Sequence, residues 1–335
     1  MRQNNFDFLR FFFALVVAAR HINVLAGINI FDFIAPLPSI AVFFCISGFL
    51  TPASYIKSAS IKEFYKKRAR RILPPYLLVV FSCAIFLSVI SEYSLREYFI
   101  NPHFFKYLFA NLTFLNFLEP SLPGVFNGDT FFNSAVNGSL WTLKVEVGFY
   151  IVLPILLYFA FKIKRKYLLL LIIYVLSILY RYILIDLSAQ PGLEMLRPFA
   201  HQLPGFMSFF ACGIAFYFYF DFFVKHKNWF FWIGFVLFVL EKIVGWGLIF
   251  TPFALASMVF AFAYSFKGKK LNNFGKYGDP SYGIFLYHYP IIQLAIYFGF
   301  FEHYNNYLVS GAILLLVIVL GFLSFHSYEK KFSKR

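Results

Sequence analysis

Cysteine is nearly absent from this chain: Cys45, Cys83 and Cys212 are the only three in 335 residues, each inside an apolar run. Isolated apolar thiols exclude a disulfide framework and a cysteine-pair metal site, and leave small core residues as the expected role. Charge is also scarce, at 13%, roughly half of the ~25% carried by an ordinary soluble domain. The negative sign is the scarcer one, with 15 Asp and Glu against 30 Lys and Arg. No G-x-S-x-G, Walker A or H-E-x-x-H pattern is present, so those routes to hydrolysis, nucleotide binding and zinc chemistry have no motif to stand on.

What is there is apolar. Hydrophobic residues make up 61% of the chain and the mean hydropathy is +0.71. Runs near 20 residues recur from end to end, which is the length of a membrane-crossing helix, and ten-residue barrel alternation is not seen. The fold class is therefore an all-α polytopic membrane protein, a single integral domain over 1–335 with no fused soluble domain expected. The 51 Phe and 23 Tyr suit lipid-facing surface and interfacial belts. A net charge of +15 could signal nucleic acid, but the basic residues sit in short loops beside apolar runs, where the positive-inside rule accounts for them. No nucleic-acid partner is expected; the bilayer is.

Spans are expected near 8–27, 35–53, 72–91, 139–161, 167–186, 199–220, 229–246, 248–266, 281–300 and 307–327. Basic loops orient them. Lys57 to Arg71 and Lys162 to Lys166 both mark cytoplasmic loops, so an even number of crossings joins them. Spans 72–91 and 139–161 already supply two, and the short apolar stretch 104–118 is expected as a re-entrant or interfacial segment on the outer side. The count becomes about ten helices with both termini cytoplasmic in a cell inner (plasma) membrane. Arg10 interrupts the first apolar run, which is expected as a retained helix and not a cleaved leader.

Within that first run, Arg10 and His21 are eleven residues apart, which is three helical turns. They share a face to within about 20° and lie ~16 Å apart along the axis. Ionisable groups inside a membrane span are costly and point to function. His21 lies in the outer half of its helix, and Glu146, entering from outside on span 139–161, reaches a similar depth, so the carboxylate is expected to orient the imidazole as a base. At the inner end, Arg10 meets the level of Arg68 and Arg71, whose i, i+3 spacing suits a polyphosphate. Ser47-Gly48 reads first as a small pair for close helix approach. His288, in Tyr287-His288-Tyr289-Pro290, lines a channel or bonds a neighbour.

These residues, in this order, resemble the acyltransferase-3 family of integral membrane acyltransferases. The resemblance runs through Asp7-x-x-Arg10 and His21, then Phe43-Phe44-x-x-Ser47-Gly48-Phe49-Leu50 and Arg68-x-x-Arg71-Ile72-x-Pro74-Pro75-Tyr76. It continues through Ser139 to Tyr150 and Ser281 to Pro290, and ends at Glu329-Lys330. It implies transfer of an acyl group, usually acetyl, from cytoplasmic acetyl-CoA or another acyl-CoA to a glycan or lipid-linked sugar acceptor on the far side, with no metal. The implied acceptors are bacterial surface polysaccharides such as O-antigen or exopolysaccharide. His21 and Glu146 are then the catalytic candidates, while Arg10, Arg68, Arg71, Asp7, Ser47 and His288 are candidates for binding substrate or acyl-CoA. Arg20 beside His21 and Lys144 before Glu146 depart from the family pattern. A secondary transporter or flippase is the alternative, using the same polar residues as a substrate path, but it lacks paired broken helices in matching halves.

Overall fold

The computed structural model describes residues 4–34, 38–128, 131–245, 247–265, 271 and 273–333, and these are helical with no β-strand among the described residues. The long helices are α1 (Phe6–Ala26), α2 (Ser39–Ile56) and α3 (Ile61–Phe86), followed by the short α4 (Leu95–Ile100) and α5 (Pro102–Leu112). Then come α6 (Trp141–Lys162), α7 (Lys166–Leu187), α8 (Leu203–Phe218), α9 (Phe220–Val244), α10 (Thr251–Ser265), α11 (Ser281–Tyr297) and α12 (Asn306–Ser324). Among the described residues, each expected span overlaps a helix. Among the described residues, seven helical segments are long and apolar enough to cross a bilayer, including those built on α1, α2, α3, α6, α7, α8 and α12.

Helix boundaries differ from hydropathy in an instructive way. α3 begins at Ile61, not near 72, because the basic stretch Lys62 to Arg71 continues the same helix beyond the apolar run. α9 likewise starts at Phe220 and turns through a non-helical His226 (φ −111°, ψ 17°) before the apolar part. Helix is a backbone state and apolarity a solvent preference, so the two need not end together. The 104–118 stretch contains α5, whose 11 residues rise only ~16 Å, about half of a ~30 Å hydrocarbon core. It stops where Phe114 takes a left-handed conformation (φ 59°).

The chain forms two compact units. The first comprises Met1–Leu9, Pro38–Lys66 and Val145–Phe274. Its core is aromatic: Phe49 packs against Phe6 and Phe260, and Phe149 stacks on Phe210 with ring centres 3.8 Å apart. α2 and α8 cross at Gly48 and Gly213. A Cβ on Gly48 would sit 2.3 Å from the Phe210 carbonyl oxygen, and one on Gly213 would sit 2.3 Å from that of Cys45. The small-residue reading of Ser47-Gly48 is thus realised as backbone-to-backbone contact. Two buried ionisable residues also close the α9–α10 link. Arg181 donates to the carbonyls of Gly205 (3.2 Å) and Leu248 (2.7 Å), and Glu241 accepts from the Phe250 amide (3.0 Å) and the Thr251 hydroxyl (2.5 Å).

The second unit comprises Arg10–Leu37, Lys67–Lys144 and Gly275–Arg335. α11 lies against α12 at Gly283 and Gly321. The buried hydroxyl of Tyr76 on α3 donates to the Asn111 carbonyl (2.8 Å), and that of Tyr98 on α4 to the Ala84 carbonyl (2.9 Å), which ties the short helices back to α3. Asn137 and Gln293 join the 133–137 segment to α11: Asn137 donates to the Leu286 carbonyl (2.8 Å), and Gln293 to those of Asn133 (3.0 Å) and Ala135 (2.8 Å).

Candidate active site

α1 and α11 are tied at two levels within the second unit. At one level Arg10 pairs with Asp279, Nη2 to Oδ2, at 3.2 Å. Eleven residues along α1 and nine beyond Asp279, His21 meets His288, Nδ1 to Nε2, at 2.9 Å. The two helices therefore run in the same direction, with a cation at one end of the shared stripe and an imidazole pair further along it.

The pair defines its own proton positions. His288 Nδ1 lies 3.1 Å from the Ile284 carbonyl oxygen, which only accepts, so that nitrogen carries the proton. Nε2 of neutral His288 is then an acceptor, and Nδ1–H of His21 donates to it. The lone pair of His21 is left on Nε2. Packing holds the rings in place: those of His21 and His288 are stacked at 4.9 Å, and Tyr289 presents its ring to His21 at 5.3 Å and 66°. A Cβ at residue 138 would come 2.6 Å from the Tyr289 hydroxyl, so glycine there lets the loop lie close against that ring.

Within the second unit the side chain that meets His21 is His288, which depth alone did not single out. Glu146 belongs to the first unit, where its Oε1 accepts from the Ser47 hydroxyl at 3.0 Å and from the Tyr150 hydroxyl one turn along α6. Ser47 is thus a donor to that carboxylate, and Thr51 in turn donates to the Ser47 carbonyl at 2.7 Å. Asp7, one turn before Arg10 on α1, is half-buried within the first unit.

The arginine end is richer than its basic residues alone foretold. Burial pushes the Asp279 carboxyl up, but Arg10, the Ser281 hydroxyl (2.5 Å) and Arg71 outweigh it and hold the group below the ordinary carboxylate range. Glu329, just beyond the last span, accepts from the Ser324 hydroxyl at 2.8 Å. Burial, with Asp279 adding to it, raises Glu329 to about 7 against the lowering by Ser324 and Arg71. Arg10 and Arg71 are thereby brought around one carboxylate, with Arg68 one turn before Arg71 on α3. Sequence reading singled out the arginines and missed Asp279, whose only signal was its place two residues before the Ser281-Tyr282-Gly283 run. No group of three or more metal-ligating side chains occurs among the described residues.

Residues 3–326 match the family of acyltransferase domains. The chain belongs to the acyltransferase-3 family. The family match covers most of both units of the acyltransferase chain and the candidate residues from Asp7 to His288, while Glu329 lies three residues beyond it. It is similar to an O-acetyl transferase of Shigella phage Sf6, at 24% identity over 100% of this chain and 97% of that protein. It is also similar to nodulation protein 10 of Rhizobium leguminosarum bv. viciae, at 36% identity over 46% of this chain and 44% of that protein. The chain thus spans less than half of the nodulation protein's length in that match. No solved structure matches the chain.

Proposed function

We propose that this membrane acyltransferase moves an acyl group, acetyl in the first instance, from a cytoplasmic acyl-CoA to a hydroxyl of a cell-surface or lipid-linked glycan, in the cell inner membrane, with His21 as the base. The observation that carries the reading is the hydrogen-bond series from the Ile284 carbonyl through His288 to His21, which leaves His21 Nε2 able to take a proton. An acceptor hydroxyl loses its proton to that nitrogen as its oxygen attacks the thioester carbonyl carbon. The carbon–sulfur bond then breaks, and the thiolate of the coenzyme leaves and recovers a proton. Transfer through an acyl group held on His21 is the two-step variant.

Arg10, Arg68 and Arg71 lie on the donor side in this reading, where a guanidinium cluster suits the phosphates of a coenzyme. The rise of ~16 Å from Arg10 to His21 is a length that an extended pantetheine arm could bridge. The full-length similarity to a phage O-acetyl transferase supports oxygen as the acceptor atom and acetyl as the group. Glu146, held by Ser47 and Tyr150, is proposed as a second residue required for turnover. The deciding test is mass spectrometry of surface glycans from cells with and without the protein. A gain of one acetyl unit on a defined sugar is expected; identical glycans in both would end the proposal.

A further inference from the structure

A polar cavity of about 430 Å³ lies in the second unit, lined by residues of the stretch between α3 and α6. Its wall includes Tyr93, Asn101, His103, Glu119, Ser121 and Asn127. The volume is within the ~300–1,000 Å³ usual for small-ligand clefts, yet the lining is unlike the mostly apolar one of such clefts. It presents amides, hydroxyls, a carboxylate and an imidazole, with the aromatic rings of Tyr93 and Phe126, and contains neither Lys nor Arg. That set matches a neutral polyhydroxylated ligand: the polar groups pair with hydroxyls, and a ring covers the apolar face of a sugar.

The wall is built to hold shape. His103 Nδ1 and Glu119 Oε2 pair at 3.0 Å, with the imidazole side chain 59% exposed and the carboxylate 16%. Asn101 caps α5 by accepting from the His103 amide at 2.9 Å. Opposite, the Ser91 hydroxyl donates to the Pro123 carbonyl (2.8 Å) and the Glu92 amide to that of Gly124 (3.1 Å), where a Cβ on Gly124 would strike Ser91 and Tyr93 at 2.9 Å. Phe126 is left-handed at φ 52°, a conformation that costs a non-glycine residue about 1–2 kcal/mol and that the surrounding contacts, including the Tyr297 ring, must sustain. In contrast, the side chains of Ser121 and Asn127 make no hydrogen bond among the described residues. They are polar groups that the described residues leave unused.

The loop that carries Glu119 and Ser121 is also tied by hydrogen bonds to α11, the helix that bears His288. Pro120, between Glu119 and Ser121, accepts from the Val136 amide at 2.9 Å, and the next residue, Asn137, holds the Leu286 carbonyl two residues before His288. We infer that this cavity is the acceptor subsite and that it takes a neutral saccharide, with Tyr93 against a sugar face and Glu119, Ser121 and Asn127 bonding its hydroxyls. The inference rests on the acyl-transfer reading for the word acceptor, but saccharide binding at the cavity stands apart from it.

The test uses the full chain in nanodiscs and, as probe, oligosaccharides released from the surface polysaccharide of cells lacking the protein. Saturation-transfer NMR reads binding without turnover. The wild type and His21→Ala should bind alike, while S121A/N127A, which disturbs no internal hydrogen bond, and Glu119→Gln should each weaken binding about tenfold or more. Melting temperatures within a few degrees of wild type exclude misfolding as the cause. Unchanged affinity in S121A/N127A and Glu119→Gln overturns the subsite, as does an absence of binding by the wild type. Binding that depends on these residues without any acetyl transfer would keep the saccharide site and sink the acyl-transfer reading.

Discussion

His21 and His288, 267 residues apart in the chain, meet nitrogen to nitrogen at 2.9 Å, and the Ile284 carbonyl orders the protons of both. A base whose free nitrogen is set by a second imidazole should depend on the first absolutely and on the second by degree. His21→Ala is expected to lower acylation by at least ~10²–10⁴-fold, the usual worth of general acid–base catalysis, with the protein's membrane abundance unchanged. Acetyl-CoA consumption by the purified protein with a glycan acceptor checks this; full acetylation by the variant would remove His21 from the chemistry. A transporter would consume no acetyl-CoA in the same assay.

His288 acts through His21 in this reading, as a positioning residue. His288→Ala should lower kcat about 10–100-fold, the range seen when an outer partner of a functional His is lost, and should leave the KM for acyl-CoA near wild type. His288→Gln, which still offers an acceptor, should recover part of the loss and displace the acid limb of the kcat profile. A KM effect alone would instead place His288 in donor binding.

Glu146→Gln keeps an oxygen that can accept from Ser47 and Tyr150. Folding should survive, with melting within a few degrees of wild type, while kcat falls tenfold or more if the carboxylate charge is needed. Undiminished turnover would reduce Glu146 to a packing role.

The Arg10 end holds two carboxylates that shift in opposite directions. Asp279 is held below its ordinary value, so its contribution to stability is present above that value and is lost as the pH falls. Glu329 is raised from 4.5 to about 7, so its contribution is full below about 4.5 and is lost as the pH rises through about 7. Glu329→Gln should therefore melt a few degrees higher than wild type at pH 8 and no higher at pH 5, read by thermal unfolding in detergent. An equal shift at both pH values would mean that Glu329 is not buried against Asp279.

Close approach of α2 and α8 predicts a steric effect at fixed chemistry. Gly213→Ala should destabilise by about 1–3 kcal/mol, because its Cβ meets backbone and not a movable side-chain tip. Gly311→Ala, with nothing within 4 Å of its Cβ, should be neutral or better. Similar melting temperatures for the two variants would contradict the crossing.

The class of this protein is legible in the chain alone, since apolar run length and charge placement are local properties that a bilayer reads directly. The shared stripe of Arg10 and His21 follows the same way, from the helical period within one element. So does the close packing at Ser47-Gly48, because the need for a small residue is written in its type. The partner of His21 was not legible. Hydropathy locates a residue's depth only to within a few positions, and several polar groups on different helices occupy similar depths. Choosing among them requires the direction each side chain takes around its helix and which helices lie side by side. Those are set by long-range packing, such as α11 tied to α1 through Asp279 and Arg10. Sequence thus determined that an expensive imidazole stands in a membrane helix; only tertiary structure decided that a second imidazole, His288, bonds to it, because that choice depends on contacts between elements far apart in the chain.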